Sequence, residues 1–118
     1  MLLNLNHQNL EAYKVSKKLF VESYKVANTF PDYEKFAMAA QIRRAALSNI
    51  LNIAEGASRK SEAERKRFFE ISRGSVIEID AALDAANGLK YMENYPLDTL
   101  GHNIQLSFKL LTGLINAK

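Results

Sequence analysis

Apolar residues recur at intervals of three and four along most of the chain, the period of an α-helix with one buried face. From about Leu10 to Ala27, Ala12, Leu19, Phe20, Ser23 and Ala27 line one side, and Tyr13 and Tyr24 widen it, which predicts a first helix. Thr29-Phe30-Pro31-Asp32 ends it, because proline donates no amide and turns the residue before it away from helical geometry. A second helix is predicted from about Glu34 to Glu55, closed by Gly56 in the left-handed conformation. Ser61-Glu62-Ala63-Glu64 reads as a capping box: the serine hydroxyl takes the Glu64 amide and the Glu64 carboxylate reaches back. A third helix therefore starts there and runs to about Met92, and a fourth follows Pro96 and Asp98. No segment alternates with the period of a strand, and no internal repeat stands out. The pattern predicts one all-α domain over residues 1–118, an antiparallel up-down-up-down four-helix bundle with short loops.

Two of these helices carry more apolar surface than one core needs. The fourth has a main stripe of Leu100, Ile104, Phe108, Leu111 and Ile115 and a second of Leu106, Leu110 and Leu114. In the second, Phe36, Ala39, Ala40, Ile42, Ala46, Leu47, Ile50, Leu51, Ile53 and Ala54 cover about half the circumference. Two readings stand: a broad core contact in a tightly packed bundle, or an oligomer interface.

Polar positions add a second layer. Gln41, Arg44, Ser48, Asn52 and Glu55 follow one another at helical spacing and form one narrow stripe that continues into Arg59 and Lys60. Serine and asparagine compete for backbone hydrogen bonds inside a helix, so their placement implies a contact requirement: hydrogen bonds between helices or subunits, or a ligand. Arg43 falls at the edge of the apolar sector and needs a carboxylate, with Glu78 and Glu55 as candidates, or a path to water. Gly74 lies inside the third helix, where glycine costs about 1 kcal/mol relative to alanine. Arg73-Gly74-Ser75 is thus expected to mark a close helix crossing.

Charge sharpens the picture. The 118 residues carry a net +3 and a pI near 9.2, and all of that excess lies between Gln41 and Glu78. Lys60, Arg65, Lys66 and Arg67 cluster at the start of the third helix, where cations oppose the helix dipole. An anionic partner, RNA or DNA bound through phosphates, is one account of the run, and a solvated, salt-bridged face is the other. No aromatic motif that would stack bases stands out. At 47% hydrophobic and 25% charged the chain can bury a core unaided. With no cysteine, disulfides, thiolate metal sites and cysteine nucleophiles are excluded. His7 and His102 lack the Glu-x-x-His pairing of a di-iron bundle and any serine motif beside them, so no enzyme activity, metal or cofactor is expected. No signal peptide and no apolar run of ~18 residues occurs, so a cytoplasmic protein without a membrane partner is expected.

The run QIRRAALSNILNIAEGASRKS followed by RFFEISRGSVIEI resembles the signature of the four-helix bundle proteins encoded within intervening sequences of bacterial 23S ribosomal RNA genes. More distantly it resembles the accessory variability proteins of diversity-generating retroelements. The resemblance spans nearly the whole chain and is strongest at Asn52 to Gly56 and Arg73 to Ser75; Tyr13 replaces a usual tryptophan and Ala37 a usual glycine. It implies a non-enzymatic, cytoplasmic homopentamer with a basic surface for nucleic acid, and in the retroelement branch a reverse-transcriptase partner. Carried over by position, Arg43, Arg44, Ser48, Asn52, Glu55, Gly56, Arg59, Phe68, Gly74, Ser75 and Glu78 are the signature residues. Two functions follow as expectations. In one, Arg44, Arg59, Lys60, Arg65, Lys66 and Arg67 bind nucleic acid together. In the other, the assembly is a protein-interaction scaffold with its arginines paired between subunits.

Overall fold

The structure is a computed structural model and describes residues 2–3 and 5–117. Its four helices are α1 (Glu11–Ala27), α2 (Met38–Ser58), α3 (Glu62–Gly88) and α4 (Asp98–Asn116), with short 3-10 turns at Asn6–Asn9 and Asp32–Glu34. α1 packs on α2 and α4, and α3 packs on the same two helices, so the bundle is square in section with α1 and α3 at opposite corners. Along its axis it measures 44 Å, little more than the ~40 Å of the 27-residue α3 itself.

Leu19, Ile42, Ile53, Ile79, Leu100 and Leu111 are fully buried at the centre. Ala12, Ser23 and Ala27 join from the expected face of α1, together with Val15, Ser16 and Val26, while Tyr13, Phe20 and Tyr24 are half-buried. On α4, Leu106, Leu110 and Leu114 are half-buried and Phe108 is exposed. Leu47 and Leu51 project from α2 into solvent. Three side-chain pairs stitch the helices through hydroxyls: Ser16 and Ser107 (Oγ–Oγ 2.8 Å), Ser72 to Asn49 Oδ1 (2.6 Å), and Ser75 to Ser48 (3.0 Å). Such small polar groups let helices approach closely while satisfying buried hydrogen-bonding groups.

Helix boundaries depart from the expected ones for local reasons. Pro31 is followed by a 3-10 turn, and Ala37 (φ −118°, ψ −105°) lies outside helical geometry, so α2 begins at Met38 rather than Glu34. Gly56 does not end α2; no glycine has positive φ, and the helix continues to Ser58. α3 stops at Gly88, short of Met92, because Lys90 takes the left-handed conformation at φ 65°. The Lys90 amide then donates to Asn87 and the Tyr91 amide to Ala86, the two bonds of a Schellman closure. Half of the capping box forms: Ser61 Oγ accepts the Glu64 amide at 3.2 Å, but the Glu64 carboxylate turns to Arg59, 3.9 Å away.

Gly74 does not sit at a crossing within the chain, since a β-carbon there would meet nothing within 4 Å. The tight approach is at Gly56, whose added β-carbon would lie 2.9 Å from Phe69 Cε1 and 3.0 Å from Phe68 Cβ.

Candidate nucleic-acid interface

The turn between α2 and α3 gathers most of the expected cations at one end of the bundle. Arg59 leaves helical geometry at φ −80° and ψ 144°, and Ser61 starts the next helix three residues after Ser58. Arg65 closes this short connection from above, its guanidinium donating to the carbonyls of Arg59 (3.1 Å) and Lys60 (2.6 Å). It satisfies two carbonyls of the connection itself, just past the end of α2, which accounts for a cation in an otherwise unfavourable place.

The neighbours divide into paired and free. Lys66 bridges Glu62 at 2.9 Å, and this hydrogen bond and charge hold the Glu62 carboxyl below its ordinary range. Arg59 reaches Glu55 at 3.2 Å and lies over the Phe68 ring, 5.1 Å from its centroid. The side chains of Lys60 and Arg67 are exposed and make no hydrogen bond or ion pair among the described residues. Arg59, Lys60 and Arg67 therefore face solvent, while Arg65 and Lys66 are half-buried and engaged. Arg44 is exposed too, donating to Gln41 Oε1 at 2.8 Å, but it stands about 22 Å up the α2 axis and does not join the turn.

Beside the turn lies a cavity of about 270 Å³ lined by Leu10, Phe69 and Leu114, with Arg65 and Lys66 at its edge and Asn6 and Ala117 bringing both ends of the bundle chain to the same place.

The polar stripe of α2 resolves into short-range pairs. Asn52 donates to the Ser48 carbonyl (2.8 Å) and hydroxyl (3.1 Å); the Ser48–Ser75 bond and the Arg59 ion pairs carry the stripe beyond the helix. Arg43 has neither Glu78 nor Glu55 as partner; from the first turns of α2 it reaches the carbonyl of Lys35 at 2.8 Å. Glu78 is exposed on α3. Arg73 donates to Thr112 (3.1 Å) and lies over Phe108 (5.5 Å), tying α3 to α4.

Exposed aromatics do occur: Tyr33 and Phe36 are 76% and 86% exposed in the connection between α1 and α2. That connection is one α2 length, ~30 Å, from the basic turn. Nearby, Tyr91 Oη lies 2.9 Å from Glu34 Oε2 and 3.1 Å from Tyr33 Oη. The Tyr33 hydrogen bond first, then desolvation and the Glu34 carboxylate, hold the Tyr91 phenol well above its ordinary pKa. Among the described residues no three His, Asp or Glu side chains come together as metal ligands, and no helix is long and apolar enough to cross a membrane.

Lysines of α1 and aspartates of α3 escape a count of net charge, because each sign is spread over a helical period and cancels along the chain. Their four-residue spacing, Lys14 to Lys18 and Asp80 to Asp84, was the available signal.

Fold and site together define a small four-helix bundle protein with a clasped basic turn at one end. The chain belongs to the family of 23S rRNA-intervening sequence proteins, whose family model matches residues 8–113. No curated protein matches it.

Proposed function

We propose that this protein is a non-enzymatic, cytoplasmic homo-oligomer, a pentamer by family resemblance, that binds RNA or duplex DNA through phosphates at the α2–α3 turn. The observation carrying this reading is the joint exposure of Arg59, Lys60 and Arg67, two of them unpaired, at one end of the bundle. Three cations bind a polyanion weakly, but a ring repeats the turn once per subunit, and linked weak contacts raise the apparent affinity without any new one. Sequence preference is expected to be slight, since phosphates carry no base identity.

Titration of structured RNA and duplex DNA over a range of salt tests it. Binding should fall steeply with salt, and Arg59→Gln/Lys60→Gln/Arg67→Gln should flatten the dependence by about one unit of slope per cation lost while leaving the oligomer intact. A parent that binds neither nucleic acid at low salt, or a triple variant that binds as well as the parent, overturns the reading. The scaffold reading then takes over. It is supported by a second observation: Leu47, Leu51 and Ile71 stand 40%, 56% and 41% exposed on the outer side of α2 and α3, where Gly74 leaves the surface open. A protein partner, such as a reverse transcriptase, would bury that face.

A further inference from the structure

On the outer side of α1, Lys14, Lys18, Val21 and Lys25 recur at helical spacing, with Lys17 beside them. Val21 is 47% exposed. Lys17, Lys18 and Lys25 make no ion pair among the described residues, and Lys14 reaches only the exposed Glu11 at 3.5 Å. The other carboxylate of this helix, Glu22, is occupied by the Tyr95 hydroxyl at 3.0 Å. Between α1 and α4, Lys14, Lys17 and Lys18 border a groove of about 690 Å³, with Glu11 and Glu22 also in its wall, into which Asn103 opens, 6% exposed and with no side-chain hydrogen bond among the described residues.

The side of the bundle formed by α3 and α4 carries carboxylates instead, with Arg73 over the Phe108 ring as the cation at its edge. Two adjoining hollows of about 320 and 220 Å³ share Asp80 and Ile104 in their walls, with Asp84 at one end and Phe108 at the other. Asp80 and Asp84 have no ion pair among the described residues, and Ile77 and Phe108 are 53% and 40% exposed beside them. Such a groove repels nucleic acid and favours an occupant with an apolar ridge flanked by cations. The outer face of α1 is such a ridge. One helical turn, about 6 Å, separates Lys14 from Lys18 and Asp80 from Asp84, so both pairs can meet in one register.

We propose that α1 of one protomer docks its lysine-flanked face, through Val21, in the acidic α3–α4 groove of a second copy. This rests on the oligomeric reading above and gives it an interface. Ridge and groove are different surfaces, so each copy gives one and receives one, a head-to-tail contact. The α1–α4 side and the α3–α4 side share α4 and meet at roughly a right angle in a square bundle, so successive copies turn sharply, as a closed ring requires. The basic turn lies at the end of every subunit and stays open.

Charge reversal in the full chain tests the docking, with size read by multi-angle light scattering at micromolar concentration and folding by circular dichroism. Lys14→Glu/Lys18→Glu and Asp80→Lys/Asp84→Lys should each lose the assembly while keeping helical content, and the quadruple variant should regain it. Full-size particles in both double variants, or a quadruple variant that stays dissociated, overturn the proposal. So does a lysine variant that keeps its size but loses RNA binding, which assigns the α1 face to phosphate instead. A parent that is itself monomeric defeats the oligomeric reading as a whole, whereas an oligomeric parent indifferent to charge reversal defeats only this interface.

Discussion

Gly56 of α2 and Phe69 of α3 are so close that a β-carbon on residue 56 would lie 2.9 Å from the edge of the Phe69 ring. The ring is buried, and Phe68 Cβ, 3.0 Å from the same point, is held by the α3 backbone. This contact sets how near α2 and α3 come just before the basic turn, and so how tightly the turn is drawn.

Gly56→Ala should therefore lower stability by about 1–2 kcal/mol, the overpacking cost exceeding the ~1 kcal/mol that alanine contributes to a helix. Gly74→Ala, with open space at its β-carbon, should instead raise stability by up to about 1 kcal/mol. Urea denaturation of both variants checks the pair. If Gly56→Ala matched the parent, the ring would have to be yielding.

Arg65 and its neighbours should separate folding from binding. Arg65→Met strips the carbonyls of Arg59 and Lys60 of their shared donor and should cost about 1–2 kcal/mol. Lys60→Gln/Arg67→Gln removes two exposed cations without partners and should stay within about 0.5 kcal/mol of the parent. Thermal melts at matched salt decide it, and equal melts for the two variants would remove Arg65 from its role as the clasp.

A pH dependence follows from Tyr91. Its phenol is held above the unfolded value of about 10, so the neutral hydroxyl is the form favoured by folding. The contribution is complete below that value and is lost as pH rises through the folded pKa. Tyr91→Phe should be less stable than the parent at neutral pH, and the gap should narrow in alkali. Melting both proteins from neutral to strongly alkaline pH would show it; a gap that widened with pH would have the wrong sign.

Helix number and the buried face of α1 were legible because Ala12, Leu19, Ser23 and Ala27 repeat with the period of the helix itself. The direction in which a glycine faces was not. Gly56 and Gly74 both lie on helices, and only the crossing of α2 over α3 decides which of them meets a ring and which meets water. Arg43, for which the sequence offers a carboxylate or a path to water, donates to the Lys35 carbonyl, an acceptor that every residue carries and no sequence marks. The cations from Arg59 to Arg67 were legible as a cluster. Their division into clasp, ion pair and free charge was not, because it depends on which side chains the turn aims inward.

The cavity beside the turn has residues from both extremities of the bundle in its wall, Asn6 and Leu10 from one and Leu114 and Ala117 from the other. A fusion protein or surface tether attached at either extremity would overhang Lys60 and Arg67 and mask the charge it was meant to help measure. The loop around Lys90, at the far end of α3, is the place for a label or an anchor.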